Sequence, residues 1–289
     1  MTEQERMKQG YVWQDDDENM NLQAHTKALV REFNSMPPED MEGREALLHD
    51  IFGKVGKNVW ITPPLTAAVG KYVSIGDGTY SNMNLTLIDD WKITIGKNVL
   101  IGPNVTLCTT GHPIDPEHRG DGMYSFPITI GDNVWLGANV VVLPDVTIGE
   151  NSSIWYNVVI RGDMNSIVIG EYTNIQDNST IHVMGGEPTI IGDYVTIGHN
   201  VVLHCDNVGN NCLIRMGVIL AGMCSVGENS MIGAGTLVPH NTKLPPNSLI
   251  LGVPCRIKRK LYEDERKGSF QHWYNCFRRT FCNVSVHCL

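Results

Sequence analysis

The chain is short of positive charge: 22 Lys and Arg stand against 31 Asp and Glu, for a formal net charge of −9. A protein this acidic has no basic field for nucleic acid or an anionic lipid surface, so neither partner is expected. No apolar run approaches the roughly 20 residues that span a bilayer. The polar start MTEQERMKQG lacks the basic-then-apolar pattern of a signal peptide, and a cytoplasmic protein is expected. Its eight cysteines have no paired spacing, which argues for reduced thiols rather than a disulfide framework. On the same grounds the Asn-x-Ser/Thr sequences at Asn84 and Asn104 read as turns rather than glycan acceptors.

What the chain has in abundance is one phrase, an aliphatic residue followed by glycine, repeated at multiples of six. It occurs at Ile75-Gly76, Ile95-Gly96, Ile101-Gly102, Ile130-Gly131, Leu136-Gly137, Ile148-Gly149, Ile169-Gly170, Ile191-Gly192, Ile197-Gly198, Val226-Gly227 and Ile232-Gly233. Ile154, Ile160, Ile175, Ile181, Leu203, Ile214 and Leu220 keep the beat between them. Such a period predicts a mainly β protein, a parallel β-helix of hexapeptide repeats in which three beats close one triangular coil of about 18 residues. Successive coils stack at the ordinary strand spacing of roughly 4.8 Å. Asn98, Asn133, Asn151, Asn211 and Asn229 each stand two places after a beat glycine. There a corner asks for a left-handed backbone, which asparagine tolerates.

Residues 1–58 lack the beat and carry helical patterning instead. Leu22, Ala28, Leu29 and Phe33 form one amphipathic run, and Pro37-Pro38 open a second through Leu47, Leu48 and Ile51. This segment is expected to cap the first coil, whose edge is otherwise unpaired. The beat is interrupted between Cys108 and Pro127 and, more briefly, between Ile181 and Ile191. Four segments result: a helical cap (1–58), a first stretch of β-helix (59–152), a second (153–256), and a C-terminal helix and tail (257–289), in which the chain is basic first and helical from Tyr262.

The first half resembles the maltose/galactoside O-acetyltransferases. The likeness rests on REFNSMPPED, YSNMNLTLIDD, VLIGPNVTL, TTGHP, MYSFPITIGDNVWLG and PDVTIGENS, and covers residues 1 to about 152. It implies a left-handed coil, acetyl-CoA as cosubstrate, a small sugar as acceptor and a homotrimer. His112 of TTGHP would be the general base that takes the proton from a sugar hydroxyl, work suited to a free imidazole near neutral pH. By the same resemblance Asp15, Asn82, Asp89 and Asp90 would line the acceptor site. Met123 and Trp135 would wall the pocket, Trp135 on the cofactor side, and the Ala138 amide would face the thioester oxygen.

From about Ser153 the chain resembles the γ-class carbonic anhydrases, through NSSIWYNVVIRGDMNSIVIGEYTNIQDNSTIHV and YVTIGHNVVLHC. That likeness implies a zinc or iron site of His182, His199 and His204, organised by Arg161, Asp163, Gln176 and Asp177. The beat constrains the arrangement independently. Arg161, His182 and His204 each directly follow the third beat of their coil, whereas Gln176 and His199 follow the second. A metal bound at about 2.0–2.1 Å cannot reach both corners of one prism, so His199 is expected to serve a neighbouring subunit, with threefold symmetry as the natural closure. The His112 loop leaves the same corner as His182, about four coils or roughly 19 Å away. Where the acetyltransferases place small residues under the pantetheine arm, this chain has Trp155 and Tyr156, which predicts an overfilled groove. The basic cluster Arg256, Lys258 and Arg259 resembles phosphate contacts of that family but falls several coils too far along.

The leading reading is therefore an acetyl-CoA-dependent sugar O-acetyltransferase. A γ-carbonic-anhydrase-like metalloenzyme, hydrating carbon dioxide or hydrolysing a small thioester, is the alternative. A catalytically silent trimeric scaffold is the third.

Overall fold

The computed structural model describes residues 1–265, so the expected C-terminal helix and the tail from Trp273 to Leu289 lie almost wholly outside the described residues. Three helices precede the coils: α1 (Glu3–Lys8), α2 (Asp17–Ser35) and α3 (Met41–Ile51). Each begins on a side-chain cap. Thr2 and Glu5 close a capping box on α1, Asp16 accepts the Asn19 N–H on α2, and Asp40 accepts the Gly43 N–H on α3. The second run thus opens on Asp40 rather than at Pro37-Pro38, and α1 was not expected. Phe33, Leu48 and Ile51 are buried against the first coil, closing the end of the prism.

The coils begin at Lys54, a few residues before the expected Val59. Their strands form three sheets. The first has ten strands from Lys54–Val55 to Lys243–Leu244, and the third has nine from Leu65–Ala67 to Leu237–Val238. The second runs from Trp60–Ile61 to Ser248–Leu251, then adds Arg256–Lys260 as an antiparallel eleventh strand. After Pro254 the chain first doubles back on the prism as that strand, and helix begins at Glu263, one residue past the expected Tyr262, running to residue 265 where the described residues end.

The register is the one the beat demands. Ile130 pairs with Ile148, Ile148 with Ile169, and Ile169 with Ile191, one above the other. Ile154, Ile160, Ile175 and Ile181 are wholly buried, each contributing about 1.5–3 kcal/mol of transfer free energy. No register shift marks the passage from residue 152 to 153: Val142 pairs with Leu107 on one side and Ile160 on the other. The corner asparagines do adopt positive φ, as at Asn98 (52°), Asn133 (57°) and Asn151 (60°). Their side chains join into ladders. One runs Asn84, Asn104, Asn139, Asn157, Asn178 with Nδ2 to Oδ1 distances of 2.8–3.2 Å. On the first corner two tyrosines take the asparagine place, Tyr172 (φ 53°) and Tyr194 (φ 57°), their rings stacked at 5.0 Å.

Candidate functional site

The insertion after Cys108 leaves the third corner and returns as a two-stranded hairpin, Thr110–Gly111 against Tyr124–Ser125, with the exposed His112 directly after its first strand. His112 Nδ1 lies 3.1 Å from the Gly122 carbonyl oxygen. A carbonyl only accepts, so the neutral ring holds its proton on Nδ1 and keeps a lone pair on Nε2. The helical cap clasps this loop from the other side. Trp13 and Met123 exchange backbone bonds of 2.8 Å, and Trp13 Nε1 donates to Ser125 Oγ at 3.0 Å. Ser125 Oγ is 2.8 Å from Thr110 Oγ1, which donates to Asp90 Oδ2 at 2.8 Å. Asp90 is buried, and its pKa is raised, chiefly by that burial, with the Thr110 bond opposing and the nearby Asp15 carboxylate adding to it. Asp15, exposed just before α2, accepts from Asn19 Nδ2 at 2.5 Å and Gln23 Nε2 at 3.1 Å. Asp15, Asp90, Met123 and His112 therefore gather at one clasp between cap and loop.

Two of the expected acceptor residues stand apart. Asp89 is fully buried and faces inward, its carboxylate accepting the amides of Ala68, Val69 and Gly70 at 2.6–3.0 Å. It holds the turn between coils and cannot line an acceptor site. Burial pushes its pKa up to about 7 against those three amides. Asn82 follows Ser81 at the second corner, its Oδ1 accepting the Met83 N–H at 2.8 Å. Within one chain it is on a different edge from His112.

The residues expected to serve a metal divide in the same way. On the third corner Arg161 pairs with His182 in register, and His204 follows Leu203 one coil on. The His182 and His204 rings stack at 4.8 Å. Asp163 joins the first two, accepting from Arg161 Nη1 at 2.5 Å and lying 3.1 Å from His182 Nε2. Burial, then the Arg161 charge, lowers the His182 pKa, so the ring is neutral at neutral pH and able to ligate. His204 Nε2 is buried with no hydrogen-bond partner among the described residues. On the second corner His199 Nδ1 sits 2.7 Å from Asp177 Oδ2, beside Gln176. Accordingly, among the described residues of one chain no three His, Cys, Asp or Glu side chains converge on a cation position. Along the third sheet the strand of Leu107 lies two coils from that of Arg161, three from that of His182 and four from that of Leu203, which His204 follows. Tyr124, on the His112 hairpin, feels the charges of Asp163 and Arg161, although burial is the larger cause of its raised pKa.

At the second corner the aromatic residues close into one cluster. Trp135 meets Trp155 edge-on at 5.2 Å and Tyr156 at 5.7 Å. Tyr156 covers Gly137: a Cβ there would lie 3.2 Å from its Cδ1 and 2.9 Å from its backbone nitrogen. Ala138 is next to that covered glycine. Arg259, of the basic cluster, is held by two 2.7 Å bonds to Glu265 and lies over the Tyr262 ring.

Family models match three stretches: the maltose acetyltransferase hexapeptide capping motif over residues 6–56, the bacterial transferase hexapeptide over 127–162, and the hexapeptide repeat of succinyl-transferase over 188–221. The galactoside O-acetyltransferase of Escherichia coli is 45% identical over 162 residues, 55% of this chain and 80% of the relative. The chain belongs to the hexapeptide-repeat transferase family. A probable carbonic anhydrase of Methanocaldococcus jannaschii is 50% identical over 128 residues, 44% of this chain and 80% of that relative, and the two likenesses cover different segments. Among solved structures, a hexapeptide-repeat containing acetyltransferase from Vibrio cholerae superposes with a TM-score of 0.51 at 26% identity, covering 90% of this chain and 99% of its own. Both halves of the sequence reading thus have a relative of their own, joined without a break in the coil.

Proposed function

We propose that this protein is an acetyl-CoA-dependent O-acetyltransferase acting on a hydroxyl of a small sugar of the galactoside or maltose kind, and that it works as a homotrimer. The observation that carries the reading is the His112 to Gly122 bond, which leaves Nε2 as a base on a loop clasped by the cap. Asp15 and Asp90 would hold the acceptor. His112 Nε2 takes the proton of the sugar hydroxyl as its oxygen attacks the thioester carbonyl. The C–S bond then breaks, and the thiolate recovers the proton from His112. The Ala138 amide would stabilise the oxyanion. Two features favour a trimer. Asn82, Trp135 and His199 lie on the second edge while His112, His182 and His204 lie on the third, so each site is half-built in one chain. The outward row of the third sheet is also largely apolar from Val141 on, with Val141 and Val159, then Thr180, then Val202, Ile219 and Leu237 in line, and Val202 and Ile219 well exposed. Release of CoA thiol from acetyl-CoA with a galactoside or maltoside acceptor tests the assignment. His112→Ala should lower the rate on the order of 10²–10⁴-fold, and equal rates would reject it.

The orphaned His204 Nε2 supports a second reading for the later coils. His182 and His204 from one chain and His199 from a neighbour form a donor set that suits zinc or iron. Such a metal would supply a bound water of lowered pKa. Asp163 would orient His182, and Asp177 would orient His199.

A further inference from the structure

The third edge carries one more histidine, in a place neither reading uses. Leu203, Leu220 and Val238 pair in register on three successive coils. The residues after them are His204, then Ala221-Gly222, then Pro239-His240. The middle coil offers no side chain beyond a methyl, so the edge has a gap between two imidazoles. Three heteroatoms fill the space where a side chain of residue 222 would stand. A Cβ on Gly222 would lie 2.5 Å from Met184 Sδ, 3.3 Å from His240 Nδ1 and 3.5 Å from His204 Nδ1. They arrive from different directions: Met184 reaches down from the short insertion two coils earlier, while His204 is held by its stack on His182.

We propose that Met184 Sδ, His204 Nδ1 and His240 Nδ1 form a binding site for a soft monovalent d10 cation, Cu(I), over Gly222. A thioether is a poor ligand for zinc, calcium or magnesium, and its partnership with two imidazoles selects Cu(I) among the common biological metals. The small shift needed to draw both Nδ1 atoms inward is available, since His240 and Met184 are exposed and end in rotatable bonds. Gly222 is required because any larger residue would occupy the space on which the donors converge. The site is distinct from the split His182, His199 and His204 set: it lies within one chain and uses the other nitrogen of His204, whose neutral ring has one lone pair and so serves only one of the two sites at a time.

The test is an anaerobic titration of the whole protein with Cu(I) buffered by a chromophoric chelator, counting equivalents held per chain. Because the cysteines also bind Cu(I), the informative quantity is the difference between variants. Met184→Leu and His240→Ala should each weaken one equivalent at least tenfold, and Gly222→Ala should remove it, with the folded circular-dichroism spectrum unchanged. His199→Ala should leave that equivalent in place, which separates this site from the split one. Equal Cu(I) retention by the native chain, Met184→Leu and His240→Ala would overturn the proposal, as would loss of the equivalent in His199→Ala.

Discussion

Replacing Tyr156 by alanine gives the sharpest test of the donor groove. Its ring packs edge-on against Trp135 and covers Gly137, and it is 44% exposed. Each edge-on aromatic pair adds about 0.5–1.5 kcal/mol beyond burial; the variant loses the pairs of Tyr156 with Trp135 and with Trp155 and keeps the one between the tryptophans, so the folded state should lose ~1–3 kcal/mol. The effect on CoA should have the opposite sign. On the same corner, coils before this one present Gly102 and then Gly137-Ala138, a smooth floor for a thin thioester arm. A ring standing on that floor must be pushed aside on binding, at the ~1–3 kcal/mol typical of overpacking. CoA affinity of Tyr156→Ala should therefore exceed the native affinity by roughly 5–150-fold. Calorimetric titration of CoA into both proteins measures it. Tight native binding with no gain in the variant would show that the cluster does not obstruct the groove.

The other expectations are simpler to read. Val202→Glu with Ile219→Glu should convert a trimer to a monomer in sedimentation equilibrium and abolish transfer, since both sites are half-built in one chain; a stable native monomer at micromolar concentration would sink the site assignments together. After growth with added zinc the native protein should retain about one metal per chain and His199→Ala markedly less, with unchanged content in the variant counting against the split site. Asp89 has a raised folded pKa of about 7, so its contribution to stability is full below its ordinary value near 3.8 and is lost as pH rises through about 7. The melting temperature of the native chain relative to Asp89→Asn should thus fall across that window, and a flat difference would refute the linkage.

Much of this was legible in the sequence because a solenoid writes its geometry in a single dimension. The aliphatic beat fixed which side chains enter the prism. Counting from it placed Arg161, His182 and His204 on one edge and His199 on another, as the strand pairings have it. What escaped were contacts made by residues off the beat. The Trp13 to Met123 bridge joins segments over a hundred residues apart through backbone groups alone, and no residue type announces it. Asp89 and Asp90 are neighbours of identical chemistry. Only the alternation of side chains along the strand end sends one inward to the turn amides and the other toward Thr110. The strand Arg256–Lys260 is largely exposed and basic, so nothing in its pattern announced that it would pair antiparallel with the last strand of the second sheet. His240 could have been found, since it stands 36 positions after His204, two whole coils, but it carries no motif to prompt the count.

The asparagine ladder has a bearing on how such a chain can come about. From Asn84 to Asn178 it continues coil after coil, passing from the half that resembles one enzyme to the half that resembles another without a missing rung. Along this run each coil therefore presents the same rung to the coil that follows, like pipe sections cut to a common bore. A genetic exchange that keeps the count of residues between rungs joins two proteins with no new interface to evolve, because the joint is chemically indistinguishable from any other coil boundary. In most folds a crossover leaves mismatched cores that must be repaired by later substitutions. Here the repeat itself supplies the match, and selection is left to act only on what protrudes from the corners.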